Sequence, residues 1–172
     1  VQVTQTTNTL TNATGKADTL TGTSGNDLIR GYAGDDVISA GGGDDIVYGG
    51  ADNDTLRGGA GRDALYGGQG KDVLYGDAGN DLLSGGSGDD TLYGGLGADV
   101  FRWQLGDQGT GSAPATDTVK DFVASQGDAL DLRDLLPDGL VAAGSLGDYL
   151  SFSYDAAAST TVLSIRTQGT TM

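Results

Sequence analysis

Residues 22–102 read GTSGNDLIR, GYAGDDVIS, AGGGDDIVY, GGADNDTLR, GGAGRDALY, GGQGKDVLY, GDAGNDLLS, GGSGDDTLY and GGLGADVFR, nine nonapeptides with nothing inserted between them. Position six is aspartate in all nine: Asp27, Asp36, Asp45, Asp54, Asp63, Asp72, Asp81, Asp90 and Asp99. Position eight is always apolar: Ile29, Ile38, Val47, Leu56, Leu65, Leu74, Leu83, Leu92 and Phe101. Position one is glycine except for Ala40, and position four is glycine except for Asp52. Disorder driven by composition needs no fixed spacing. Nine acids in one unbroken phase therefore mark a repeat architecture, whose units fold by stacking on one another.

Each nonapeptide divides into two parts. Glycine at positions one, two and four permits positive φ, so the first six residues read as a tight turn. Segments such as DLI or VLY read as a three-residue strand whose middle side chain points inward, with positions seven and nine outside. Two nonapeptides make an 18-residue coil carrying one strand on each side. Odd and even repeats are expected to form two parallel sheets, stacked over roughly 22 Å at a strand spacing of about 4.8 Å. The expected fold is all-β, a parallel β-solenoid, with one apolar residue per strand as its core. Side chains at position nine, among them Tyr48, Tyr66, Tyr75 and Tyr93, are expected to form an outer-face ladder; contact with a glycan or partner is the competing reading.

Composition narrows the chemistry. The 172 residues include 32 Gly, 2 Pro, no His and no Cys, and all 24 acidic residues are Asp, giving a formal charge of −15. Without His or Cys there is no nucleophile–histidine triad, no thiolate zinc site and no disulfide. The negative charge argues against nucleic acid as a partner. No apolar run reaches the length of a transmembrane segment.

A core one residue thick cannot offset the entropy of ordering so many residues, and rows of aspartate at ladder spacing repel one another. The fold is expected to need a cation. Calcium takes six to eight oxygens from carboxylates and carbonyls, and glycine turns expose carbonyls. Zinc and copper favour His or Cys, and magnesium seldom accepts an all-protein cage. Turn preference alone would enrich aspartate but would not fix its phase.

The repeat resembles the RTX (repeats-in-toxin) calcium-binding family. That resemblance implies a parallel β-roll in which each calcium lies between like turns of adjacent coils. The ligands it implies are the position-six carboxylates together with backbone carbonyls, here those of Gly41, Gly43, Gly49, Gly50, Gly58, Gly59, Gly61, Gly67, Gly68, Gly70, Gly76, Gly79, Gly85, Gly86 and Gly88. Asp27, Asp45, Asp63, Asp81 and Asp99 would line one edge with four sites, and Asp36, Asp54, Asp72 and Asp90 the other with three. Seven divalent ions would nearly cancel the formal charge. ATGKADTLT, residues 13–21, keeps Asp18 and Leu20 in phase and is expected to be a degenerate capping repeat that completes a further site. Asp117 is a candidate capping ligand, whereas Asp121, Asp128 and Asp131 read as turn and edge residues.

The expected organisation is a linker or the end of an upstream domain (1–12), the β-roll (13–102) and a capping, secretion-associated β domain (103–172). In the last region DTVKDFV and DALDL read as strands, LRDLLPDG as a helical turn, and DYLSFSY with TTVLSIR as a hairpin. GGLGADVFRWQLGDQGT followed by ATDTVKDF, DALDLRDLL and YLSFSYD resembles the C-terminal region of large type I secreted RTX adhesins. The resemblance implies a non-catalytic, calcium-dependent folding and export module. Its expected partners are the type I secretion machinery and the rest of a larger adhesin chain. The expected state is monomeric and the expected location the bacterial (Gram-negative) surface or medium. The alternative is the same module on a secreted metalloprotease or lipase whose active site lies upstream.

Overall fold

The computed structural model describes residues 8–10, 13–104, 106–107, 109–110, 113–134, 150–155 and 160–166. Two short strands, β1 (Asn8–Leu10) and β2 (Thr19–Thr21), precede the repeats. The repeats supply β3 (Asp27–Ala33), β4 (Val37–Gly42), β5 (Ile46–Ala51), β6 (Thr55–Ala60), β7 (Ala64–Gln69), β8 (Val73–Ala78), β9 (Leu82–Ser87), β10 (Thr91–Leu96) and β11 (Val100–Arg102). After them come β12 (Gly109–Thr110), β13 (Ala113–Pro114), β14 (Thr116–Val119), a 3-10 turn at Ala124–Gln126, β15 (Ala129–Asp131), β16 (Leu150–Asp155) and β17 (Thr160–Arg166).

The odd repeat strands lie in one sheet, ordered β1-β3-β5-β7-β9-β11-β15, and the even ones in the other, ordered β2-β4-β6-β8-β10-β14-β17-β16. The repeat strands pair in parallel at an offset of 18 residues, as in Val47↔Leu65↔Leu83 and Ile38↔Leu56↔Leu74. This is the two-sheet parallel solenoid anticipated from the nonapeptide period, and the parallel β-roll that the resemblance implies. The position-eight residues, Ile29 to Phe101, are all buried between the sheets, with Trp103 and Val119 closing one end. Leucine and isoleucine stacked at one position per strand give a dry seam that alternates with the aspartate row two residues before it.

The strands are longer than the expected three residues. Most span six, running from position seven through position three of the next nonapeptide. The ladder survives the glycine pair because every coil bends at the same place. Position two has positive φ from Tyr32 to Gly95, including Tyr32 (79°) and Asp77 (73°), and position four has it from Gly34 to Gly97, including Asp52 (77°). Position one keeps ordinary φ, so its glycine is required for space and not for conformation.

The sheets also run past the repeats. β14 pairs in parallel with β10, β15 with β11, and β1 with β3. Strands on either side of the expected boundaries at residues 12 and 102 thus belong to the same two sheets. β16 and β17 form the expected antiparallel hairpin, which joins the even sheet through β14. Most of the anticipated LRDLLPDG turn lies outside the described residues.

Candidate metal centre

The roll aligns the position-six aspartates in two rows, one along each edge. Alternation within each strand turns positions six, eight and one inward, so every row member is buried despite its charge. Within a row, one carboxylate oxygen of each aspartate after Asp27 accepts the backbone N–H of the aspartate one coil earlier; Asp27 Oδ2 accepts instead from Thr23 N at 2.6 Å. Asp45 Oδ1 accepts from Asp27 N at 2.7 Å, Asp63 from Asp45 at 2.9 Å, Asp81 from Asp63 at 2.9 Å and Asp99 from Asp81 at 2.9 Å. On the other edge Asp54 accepts from Asp36, Asp72 from Asp54 and Asp90 from Asp72, each at 2.8 Å.

The second oxygen has no such partner. One buried carboxylate oxygen in each of the nine repeats, Asp27 Oδ1 and Oδ2 of the eight others, lacks any hydrogen bond. Buried unpaired polar atoms are rare and costly, so nine in register need a ligand. The space they face has a further oxygen supply. A Cβ placed on Gly49 would meet Asp54 Oδ2 and, at 2.7 Å, the carbonyl of Gly67. Gly31, Gly67 and Gly76 stand likewise between Asp36, Asp72 or Asp81 Oδ2 and the carbonyls of Gly49, Gly85 and Gly94. Free carboxylate oxygens and position-one carbonyls therefore border one space at these four junctions between coils. Among the described residues no three carboxylates gather into a cluster. Each junction pairs two, with main-chain carbonyls beside them.

Burial dominates the electrostatics. It pushes Asp54, Asp63 and Asp90 up to about 6, and Asp72 and Asp81 up to about 7, against the pull of the incoming backbone N–H. Asp36, Asp45 and Asp99 move up for the same reason. Repulsion from row neighbours adds to the rise. An all-oxygen, strongly anionic donor set with unpaired buried oxygens fits a hard divalent cation, calcium foremost.

The position-one carbonyls of Gly49, Gly67 and Gly85 border the free oxygens as described, and the glycines at 58 and 76 lie against Asp63 and Asp81. At position two, the carbonyls of Gly41, Gly50 and Gly68 face Gly59, Gly68 and Gly86 of the next coil; at position four, those of Gly43, Gly61, Gly70 and Gly79 face Gly61, Gly79, Gly88 and Gly97. Asp18 extends the even row, since its N–H reaches Asp36 Oδ1 at 2.8 Å, but Thr14 N–H and Oγ1 already donate to its Oδ2 at 2.6 and 3.0 Å. Asp117 follows Asp90 in that row. Its Oδ1 accepts from Asp90 N at 2.9 Å and its Oδ2 from the buried Trp103 indole at 2.5 Å, so both oxygens are engaged.

Two acids read from sequence as turn residues also sit at the row ends. Asp128 continues the odd row, accepting from Asp99 N at 3.0 Å and from Val123 N at 2.7 Å. Asp121 holds the N–H groups of Gly94 and Gly95 at 2.8 and 2.9 Å. Asp131 pairs with Arg102 and Arg133, whose hydrogen bonds hold it far below the ordinary carboxylate range. Asp121 and Asp128 are recognisable only once β14 and β15 are known to extend the sheets, because the nonapeptide phase has stopped before them.

The outer tyrosines spend their faces on one another. Tyr48 and Tyr66 stack with centroids 5.0 Å apart, Tyr75 and Tyr93 at 4.7 Å, and Arg30 and Arg57 cover the free faces of Tyr48 and Tyr75. A ladder in which the rings stack on each other leaves little face for a sugar.

Comparison with known proteins agrees with this geometry. The RTX calcium-binding nonapeptide repeat family matches in four copies, at residues 12–47, 40–74, 48–83 and 66–101. Among solved structures, the AlgE6R3 subunit of the mannuronan C5-epimerase from Azotobacter vinelandii, determined in solution, is similar at 34% sequence identity and a TM-score of 0.50; the match covers 69% of this chain and 71% of that one. No curated protein matches significantly. With calcium-binding repeats over more than half its length, the chain belongs to the RTX calcium-binding nonapeptide repeat family.

Proposed function

We propose that this chain is a non-catalytic module that folds on calcium and serves type I secretion at the C-terminal end of a large cell-surface adhesin used in attachment or biofilm formation. The nine orphaned carboxylate oxygens carry the calcium-dependent part of this reading. Seven junctions join two aspartates that each keep a free oxygen: four between Asp27, Asp45, Asp63, Asp81 and Asp99, three between Asp36, Asp54, Asp72 and Asp90. That supports about seven ions. Both oxygens of Asp117 are engaged, which favours a protein cap over an added site at that end of the even row.

Calcium, when bound, supplies positive charge and takes up the oxygen lone pairs that the protein leaves unpaired. The chain's own residues hold the turns: position-six carboxylates clamp successive coils, position-one glycines leave room, and the apolar seam keeps the sheets together. Removing the cation leaves buried like charges facing each other, so binding energy becomes folding energy. At the roughly 10⁻⁴–10⁻³ M typical of extracellular calcium modules, the chain is loose before export and folded after it.

A second reading attaches the module to a secreted enzyme. It draws on the similarity to part of an epimerase. The coding sequence upstream separates the two: tandem immunoglobulin-like repeats support the adhesin, and a catalytic domain supports the enzyme. Calorimetry and far-UV circular dichroism during calcium addition to chelated protein test the core of the proposal. A gain of β-structure with about seven ions is expected; no gain, or one or two ions, overturns it.

A further inference from the structure

A second row of side chains precedes the aspartate rows by one residue. At position five the odd edge carries Asn26, Asp44, Arg62, Asn80 and Ala98, and the even edge Asp35, Asn53, Lys71 and Asp89. Where this residue is Asn or Asp, its side-chain oxygen accepts the N–H of the turn one coil later. Asn26 accepts from Asp44, Asp44 from Arg62 and Asn80 from Ala98, each at 2.9 Å. Asp35 accepts from Asn53 at 2.9 Å, Asn53 from Lys71 at 2.9 Å and Asp89 from Thr116 at 3.0 Å. These bonds run opposite to the position-six bonds, which take their hydrogen from the coil before. Each turn with Asn or Asp at position five is thereby tied in both directions, with the free carboxylate oxygen held between the ties.

Arg62 and Lys71 break the second row, because neither has an acceptor. Both breaks fall in one coil, built from repeats five and six, so the N–H groups of Asn80 and Asp89 lack the tie their counterparts have. The two side chains also set a positive charge beside Asp63 and Asp72. Their heads turn away along the surface, Arg62 to Asp44 at 3.5 Å and Lys71 to Asp89 at 2.8 Å. Ala98 interrupts the row only at its end, where the next turn closes on itself through Gly127 N–H to the Ala124 carbonyl at 3.2 Å.

We propose that the position-five side chains are positioning residues for the cation sites, and that Arg62 and Lys71 make the Asp63–Asp81 and Asp72–Asp90 junctions the weakest on their edges. The roll then loads in two steps, these junctions filling last. The proposal rests on the calcium-dependent reading. Arg62 is the place to test it, since its own ion pair is long and exposed. R62N and R62A both remove the charge, and only R62N restores an acceptor for Asn80.

Calcium calorimetry and hydrogen exchange at the Asn80 amide read the result. R62N should lower the calcium concentration of the later step roughly threefold to tenfold, the worth of one hydrogen bond, and protect the Asn80 amide. R62A should give a smaller shift and no added protection. N53A, which frees the Lys71 N–H at unchanged charge, should raise the calcium requirement by a similar factor. Equal effects of R62N and R62A, no effect of N53A, or single-step loading of the unaltered chain would overturn the proposal. Failure of the unaltered chain to gain β-structure with calcium would overturn the calcium reading as well.

Discussion

Position one shows how a single atom decides what a turn can hold. Glycine there has ordinary φ, so its conformational freedom is unused; what matters is the missing Cβ. At Gly67 that atom would lie 2.5 Å from the Gly85 carbonyl and against Asp72 Oδ2, in the space bordered by the donor oxygens. Gly67→Ala should therefore cost about 1–3 kcal/mol, the range for forcing a methyl group into a packed site. The cost should appear mainly in calcium-bound protein, as a lower thermal midpoint; equal losses with and without calcium would point to backbone strain. Ala40 is the one methyl group in this row, and it is fully buried. The preference for aspartate over glutamate has a local cause at positions five and six. Apart from Asp27, each of these short side chains reaches a backbone N–H one coil away, at 2.7–3.0 Å, and an added methylene would overshoot it.

At the scale of strands, the nonapeptide phase made the two sheets, their parallel pairing and the apolar seam legible in the sequence; that the aspartate rows are buried was not. Those features follow from period alone, since equivalent residues must stack. The strands exceed the three residues the sequence suggests because glycine is a breaker only in an isolated strand, whereas identical bends stacked coil on coil keep their ladder through the glycine pair. The row ends were hidden for a different reason. Asp121 and Asp128 flank β14 and β15, after connections of irregular length, so spacing carries no signal for them, whereas Asp117 stood out in the sequence as a candidate cap. Trp103 closes the end of the even row: its indole N–H takes the Asp117 oxygen that would otherwise be free, and burial holds that carboxyl up at about 7. Trp103→Phe should keep most of the packing while leaving this oxygen unpaired, at a cost of about 1–3 kcal/mol. Chemical denaturation of the calcium-loaded protein, followed by circular dichroism, measures it. No loss of stability would show that the indole bond is dispensable.

Over the whole molecule, the rows behave as a store of protons when the cation is absent. Unfolded aspartates titrate near 3.8, while Asp54, Asp63 and Asp90 in the roll titrate at about 6 and Asp72 and Asp81 at about 7. The folded chain therefore binds more protons than the unfolded one across this interval, and by linkage its stability falls as pH rises. The protonated rows favour the roll most below about pH 4, and this advantage is lost as pH climbs through 6 and 7. Calcium competes for the same oxygens. Two results should follow together: in chelator, the chain should show more β-structure at pH 5 than at pH 8, and calcium added between pH 6 and 7 should release protons. Circular dichroism reads the first; calorimetry in buffers of different ionisation enthalpy reads the second. A metal-free roll that gains stability on going from pH 5 to 8 would mean that the rows are ionised and compensated by some other charge. The same linkage makes acid and calcium alternative ways of neutralising one set of buried carboxylates, and only calcium does so at the pH where those carboxylates are charged.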